Sequence, residues 1–463
     1  MPYSQDTTTI QEQFERIIAT DDKLKISDFL NDQNISDVAE LIYDNPDYES
    51  QILANLSIHR ASSVFRILDV ASQKSIIKEL PPFKTAELLN ELPADDRTSF
   101  LEELPSGVVK ELIRLLDPEE RKVTLALLGY PESSVGRLMT PDYIAVNVDW
   151  TVREVLDHIR EEGKHSETID VIYVVNEKGV FLDDIRIREF LLASPDKLVS
   201  DLVDGRYITL HVNDDQEAAY QTFKMNNRVA LPVLDDNDVL LGIVTIDDVL
   251  WVASEEFTED IQKIGGTEAL DAPYLEIGLV KLVRKRAGWL IVLFLSEMLT
   301  ATAMQHYQDE IAAATVLALF IPLIMSSGGN SGSQASTLII QAMALGELTL
   351  RDWWRVMRRE FLSGFSLGAI LGVIGWLRIF LWQNLHVFNY GVHYMRLASV
   401  ILFSLIGIVL WGSMMGSMLP IILKSLKLDP ATSSAPFVAT LVDVTGIVIY
   451  FSVAYIFFKG ILL

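Results

Sequence analysis

The stretch Asp429–Tyr450, DPATSSAPFVATLVDVTGIVIY, places a carboxylate where a chain of this kind could do chemistry at membrane depth. Pro436 to Phe458 reads as a membrane-spanning helix long enough for the hydrocarbon core, and its one acid is Asp443. A charged carboxylate there costs about 2.5–3.5 kcal/mol on insertion scales, so it requires a partner, a water-filled cavity or a cation. Helical spacing aligns Ala435, Ala439 and Asp443 at i, i+4 and i+8, with Gly446 three further on. A hydrated ion or a close-packed helix could approach this strip of small residues, and a protonated Asp hydrogen-bonded inside a bundle is the plain alternative.

Two other polar features stand out. The first is SSGGNSGSQAST (Ser326–Thr337), set between apolar runs. Such a run is tolerated at membrane depth only when buried in protein or lining a water-filled cavity. Gly328 and Gly332 would serve tight helix packing, but Asn330, Ser331, Ser333 and Gln334 supply more oxygen and amide groups than packing needs, which favours a pore lining. The second is IDDVLWVASEEFTEDIQKI (Ile246–Ile264), a single helix with Asp248 and Glu255 on one stripe and Glu256, Glu259 and Asp260 on the next. Acids at helical spacing repel by a few tenths of a kcal/mol per pair. Either this is a charged solvent face, or it is a comb of carboxylates that closes on Mg2+ or Ca2+.

The elements that must position these residues fall into unlike halves. Residues 281–463 carry 13 Lys+Arg and 8 Asp+Glu; taken from totals of 38 and 63, these leave 25 and 55 for residues 1–280. The acidic half, at a net −30, disfavours nucleic acid as a partner and would be relieved by bound cations. With no cysteine there are no disulfides or thiolate sites, leaving hard oxygen ligands as the main metal chemistry. The N-terminus MPYSQDTTTIQEQFE has neither a basic nor an apolar leader region, so no signal peptide is expected.

Residues 1–135 are polar and helical in pattern. Leu80-Pro81, Leu92-Pro93, Leu104-Pro105 and Leu116-Asp117-Pro118 recur every 12 residues, leaving room for one short helix in each interval. The acids at the joints, Asp95-Asp96 among them, are expected to be solvated helix-end charges. Residues 137–198 and 199–253 then repeat a β-α-β-β-α order, with Tyr143-Ile144 matching Tyr207-Ile208 and Val174-Val175 matching Val233-Leu234. This duplication, with the ending GIVTIDDVL, resembles a tandem CBS pair, a regulatory module that often binds adenine nucleotides. The resemblance implies nucleotide contacts at Tyr173 and Arg188. Asp183-Asp184 departs from the usual Gly-apolar pair of the first copy, which leaves ATP binding open.

A connecting segment (246–275) leads to five spans near 285–306, 312–345, 361–384, 395–423 and 434–458, the second too long for one simple crossing. Lys281, Arg284, Lys285 and Arg286, then Arg351, Arg355, Arg358 and Arg359, then Lys424 and Lys427 mark one side as cytoplasmic. The N-terminus is therefore expected inside and the C-terminus outside. Gly364, Gly368 and Gly372, and Gly412 and Gly416, read as helix-packing motifs.

The run Pro322–Ala344, the run Asp429–Phe451, the CBS pair and the helical N-terminal domain together resemble the MgtE family of magnesium transport proteins. The fold expected is a multidomain membrane protein: a superhelical all-α N-terminal domain, an α/β CBS pair, and a five-helix membrane domain. The resemblance implies a homodimeric, Mg2+-selective channel of a bacterial cytoplasmic membrane, surrounded by lipid. Asp443 would bind the hydrated ion, with Gly328, Asn330, Ala439 and Gly446 lining the pore and Asp429 near its cytoplasmic mouth. Cytosolic Mg2+ would bridge sensor acids and close the pore; matching positions are Asp95, Asp142, Asp215, Glu217, Asp248, Glu256, Glu259 and Asp260. Trp251, Ser63, Ser99 and Asn227 stand where further acids are expected, which would weaken sensing. A broader divalent-cation carrier is the nearest rival. An intramembrane aspartyl hydrolase lacks a second facing carboxylate motif, and a CBS sensor merely anchored in the membrane has no use for the polar run in span two.

Overall fold

The computed structural model describes residues 7–20, 22–270, 274–275, 277–313 and 315–459, and divides into two compact units, residues 1–253 and 254–463. The first unit opens with short helices wound by the 12-residue repeat. Helices Val70–Glu79, Pro82–Glu91, Ala94–Glu102, Ser106–Ile113 and Pro118–Leu127 each end or begin at a repeat junction. Leu80 and Leu92 adopt extended backbone (ψ 141 and 139), the conformation a following proline imposes. Pro81, Pro93 and Pro105 then stand at the cap of the next helix, where a missing N–H costs nothing. The repeated leucines 80, 92 and 116 are buried in one continuous core. Arg97, fully buried, staples neighbouring repeats by donating to the carbonyls of Leu89 and Leu92 (both 3.1 Å) and to Thr124 Oγ1 (2.8 Å).

Strands β1 (Ala145–Asn147), β2 (Val171–Val175) and β3 (Phe181–Arg186) form one sheet, and β4 (Leu210–His211), β5 (Ala230–Leu234) and β6 (Leu240–Thr245) another. In both, the first pair is parallel and the second antiparallel, which requires a crossover helix: Val152–Glu162 in one copy and Gln216–Asn226 in the other. The duplication extends to an irregularity, a register shift at Val174/Val175 in β2 and at Val233/Leu234 in β5. One feature is not visible in the repeat. Val135 and Met139, which precede β1, pack in the core of the second copy with Leu210 and Val233, and Thr140 bridges to Ile243.

Among the described residues, the second unit holds five helices long and apolar enough to cross a membrane: span 1 (Leu279–His306), span 2 (Ile321–Ala344), span 3 (Trp353–Asn384), span 4 (Tyr394–Ser425) and span 5 (Ala435–Phe458). The excess length ahead of span 2 folds as separate short helices, Gln308–Ala313 and Thr315–Ala318. Span 4 is the axis of the bundle. On one side Gly364, Gly368 and Gly372 of span 3 meet its backbone at Leu410, Ile406 and Leu402. On the other, a Cβ at Gly412 would lie 2.4 Å from the Gly328 carbonyl, and one at Gly416 2.1 Å from that of Gly332. No side chain can yield there, because the obstacle is backbone. Gly416→Ala is expected to destabilise the bundle by about 1–3 kcal/mol, the usual cost of overpacking. Thermal unfolding in detergent checks this, with Gly107→Ala, where a Cβ meets nothing within 4 Å, as the unaffected control.

Candidate functional site

Ser326–Thr337, expected to be a cavity-lining interruption, is continuous helix within span 2. Its polar groups divide by face. Ser331 Oγ shares a hydrogen bond with Ser413 Oγ of span 4 (2.7 Å), while Ser333 donates to the Ala435 carbonyl (2.9 Å) and Ser336 to that of Ser433 (3.0 Å). These serines zip span 2 to spans 4 and 5, so Ser331 and Ser333 belong to packing and not to a pore lining. The opposite face carries Ser326, Asn330 and Gln334 at i, i+4 and i+8, all exposed on the single chain. Among the described residues, Asn330 donates only to Ser326 Oγ, at 3.3 Å.

Span 5 sets Asp443 beside this helix. A Cβ at Gly329 would lie 3.3 Å from Ala439 Cβ and 3.8 Å from Asp443 Oδ1. Gly328 and Gly446, the other expected pore residues, turn instead onto Ile408 in the bundle core. One residue along a helix is a rotation of about 100°, which separates Gly329 from Gly328. Asp443 is half-buried and, among the described residues, has neither a hydrogen-bond donor nor a cation. Glu297 of span 1 is the charged group whose field reaches it. Arg378 of span 3 lies over the rings of Trp382 (4.3 Å) and Phe320 (5.9 Å).

Asp429 opens the turn before span 5. Its Oδ1 accepts from Ala431 N (2.8 Å), and its Oδ2 takes Lys263 Nζ at 2.7 Å. Lys263 also pairs with Glu259 one turn earlier on the connecting helix Ile246–Ile264. Burial works against the Lys263 charge, but the bonds to Asp429 and Glu259 prevail and raise its pKa.

The largest departure from expectation is at Asp95 and Asp96. They begin the helix Ala94–Glu102 but are not solvated: Asp95 is 5% exposed, and both its carboxylate oxygens are buried without a hydrogen-bond partner. Around them stand Asp247 and Asp248, from the first turn of the connecting helix, and Glu167, from the loop before β2. Arg66, after the helix Ile58–Phe65, is the cluster's internal cation, 2.8 Å from Asp96 and 3.6 Å from both Glu167 and Asp247. Asp248 Oδ2 accepts from Thr245 Oγ1 at 2.5 Å. Burial, reinforced by the neighbouring acids, pushes Asp95 well above the usual carboxylate range. Burial likewise drives Asp96 up to about 7, against the pull of Arg66, and Asp248 up to about 6. Asp142, exposed in area but flanked by Glu120 and Glu167, is also raised, mainly by the protein packed around it.

The orphaned Asp95 carboxylate, buried among Asp96, Glu167 and Asp248, fits a bound cation. Among the described residues no three His, Asp or Glu side chains converge closely enough to ligate one bare ion. The donor set suits an ion that keeps several waters, as Mg2+ does. The folded state holds protons on Asp96 and Asp248 that an unfolded chain releases near pH 4, so without cations its stability falls as pH rises from about 4 to about 7. Melting of the acidic unit in EDTA is expected to come several degrees lower at pH 7.5 than at pH 5.5, about 5 °C, with Mg2+ closing the gap.

The remaining expected residues are more ordinary. Asp215 caps the helix Gln216–Asn226 through Glu217 N (2.9 Å), and Glu217 sits in that first turn. Glu256 and Asp260 are half-exposed on the connecting helix, and Trp251 is exposed. Ser63 donates to the His59 carbonyl, Ser99 is exposed, and Asn227 holds the left-handed cap (φ 49) that ends its helix. Tyr173 lies wholly within the sheet core against Tyr143 and Phe181, while Arg188 is at the surface beside Glu189. Asp183 explains its own departure from the CBS pattern: fully buried, it accepts from the amides of Asp184, Asp204 and Gly205. Asp184, pushed up to about 6 by burial, pairs with Arg228 at 2.6 Å.

Among the described residues, five apolar helices with a carboxylate in span 5 that has neither donor nor cation, preceded by a helical-repeat and CBS-pair unit with a buried acidic cluster, define a cation-transport protein of the membrane. Residues 321–453 match the MgtE family model, described as a divalent cation transporter; 33–133 match the MgtE intracellular N domain, and 135–195 and 199–255 the CBS domain. The magnesium transporter MgtE of Thermus thermophilus is 39% identical over 347 residues, 75% of each chain. That of Enterococcus faecalis is 31% identical over 341 residues, 74% of this chain and 73% of the relative. The crystal structure of the cytosolic domain of the Mg2+ channel MgtE in complex with ATP covers 52% of this chain and 99% of its own, at 31% identity and a TM-score of 0.50. The chain belongs to the MgtE family of magnesium transporters.

Proposed function

We propose that the chain forms a Mg2+-selective channel for magnesium uptake, closed by cytosolic Mg2+, whose pore is completed by a second copy. The observation that carries this reading is the stripe Ser326, Asn330 and Gln334, exposed on span 2, together with the partnerless Asp443 on span 5. Amide and carboxylate groups at membrane depth must face protein or water, not lipid. A twofold axis would oppose two Asp443 carboxylates around an ion that retains its waters. The basic loops favour a cytosolic first unit, an outer C-terminus and, for a family of this kind, a bacterial cytoplasmic membrane.

The acidic cluster supplies the sensor. Without cations, Asp95, Asp96, Glu167, Asp247 and Asp248 repel around one arginine; a hydrated Mg2+ relieves that repulsion and holds the surrounding elements together. Closure then follows because the ion binds the compact form better than the loosened one. ATP, bound by the solved cytosolic domain of a relative, is a second ligand proposed for the CBS pair. The test is Mg2+ entry into liposomes carrying the purified protein, with Mg2+ varied on the cytoplasmic face. Entry that is rapid at low cytosolic Mg2+ and shuts off as it rises is expected. Entry that saturates and depends on a counter-ion would establish a carrier instead.

A further inference from the structure

The connecting helix does not simply run into the membrane domain; a built junction fastens its end to span 5. Lys263 sits four residues after Glu259, the favourable order for a helical ion pair, and bonds both Glu259 and Asp429. Asp429 is itself fixed, because its other oxygen accepts from Ala431 N in the turn that starts span 5. Just beyond Lys263, Gly266 adopts a left-handed φ of 74, and a Cβ there would meet the Trp289 ring at 2.8 Å and Pro436 at 3.3 Å. Trp289, from span 1, donates to Ser434 Oγ at 2.9 Å, and Ser434 caps span 5 through Phe437 N. From that cap to Asp443 is nine residues of helix, about 13 Å at the usual rise.

We propose that Lys263 is a positioning residue that pins the C-terminal end of the connecting helix to the mouth of span 5. Its ammonium does at this junction, permanently and by covalent attachment to the helix, what a diffusible cation would do only when present. The pin makes the helix end and the Asp443-bearing span move together, so that loosening of the acidic unit reaches the pore. This coupling role rests on the gating reading above. The pin itself does not, since it requires no bound ion.

The test uses the full-length protein in lipid nanodiscs and liposomes, as wild type, Lys263→Met and Lys263→Arg. Amide hydrogen exchange in EDTA over residues 261–264 reads the pin without Mg2+ or flux. Lys263→Met is expected to speed exchange there about tenfold, the equivalent of about 1.4 kcal/mol of lost local stability. The cytosolic Mg2+ concentration that halves entry is expected to shift by a similar factor. Lys263→Arg keeps both within about twofold, because the guanidinium can still bridge the two carboxylates. In the exchange measurement, Asp429→Asn should match Lys263→Met, and the double variant should add nothing. Unchanged exchange in Lys263→Met overturns the pin. Faster exchange with an unchanged closing concentration overturns the coupling. A wild type that Mg2+ never closes overturns the gating reading, and the coupling with it, while the exchange data still report on the pin.

Discussion

Asp443→Asn is expected to lower Mg2+ entry at least about 100-fold while leaving the folded protein as stable as the wild type. The carboxylate has no hydrogen-bond donor or cation among the described residues, and its charge is costly at membrane depth, so neutralising it removes an unfavourable term from the folded state. For a divalent ion kept about 5 Å away by one water layer, attraction to a carboxylate is on the order of 6–7 kcal/mol at an effective dielectric of 20. Desolvation offsets much of this; a hundredfold loss requires only about 2.7 kcal/mol to survive. Flux in liposomes at low cytosolic Mg2+ measures the first effect, and thermal unfolding in detergent the second. Entry within twofold of wild type would move the ion path away from Asp443, towards Glu297 of span 1. Loss of both flux and fold would show that Asp443 holds the bundle together.

The second large effect is expected at Asp95 and Asp248. With both changed to Asn, the acidic unit in EDTA should resist proteolysis better than wild type, because two buried carboxylates that repel Asp96 and Glu167 are gone. The same variant should lose the protection that Mg2+ confers, with the half-protecting concentration rising about tenfold or more. The combination is diagnostic: a merely structural pair of acids would lower protection in EDTA as well. Asp215→Asn provides the contrast. Its carboxylate caps a helix through Glu217 N, a task asparagine performs equally well, so the fold should be unaffected, and any weakening of the Mg2+ response would reflect a lost ligand. If the double variant responds to Mg2+ like wild type, the sensor lies outside this cluster.

The two effects draw on different layers of information. Asp443 stands out in one dimension, as an acid inside a long apolar helix, because the bilayer penalises charge whatever the surrounding fold. Asp95 does not. In sequence it is an acid in the first turn of a short polar helix, where solvation is the ordinary expectation. Arg66, Glu167 and Asp247 carry no local mark at all. Their meeting depends on how the end of the helix Ile58–Phe65, the start of the helix Ala94–Glu102, the loop before β2 and the start of the connecting helix pack, and the chain separates these by as many residues as lie between Arg66 and Asp248.

Local and periodic physics determined the five spans, the 12-residue helical repeat and the doubled β-α-β-β-α order. Hydrophobic thickness, proline's missing donor and strand alternation act on neighbouring residues, and the chain displays them directly. The same holds for the face shared by Ala439 and Asp443. Tertiary packing alone decided the rest. It chose Gly329 over Gly328 as the neighbour of Asp443, since one residue of helix rotates a side chain by about 100° and only contact with span 4 sets the rotation. It turned Ser331, Ser333 and Ser336 into a zip between helices and left Asn330 and Gln334 outside it. It joined Lys263 to Asp429 across 166 residues. Partners of this kind are selected by the shape of a folded interior, and no local pattern of residues encodes that shape.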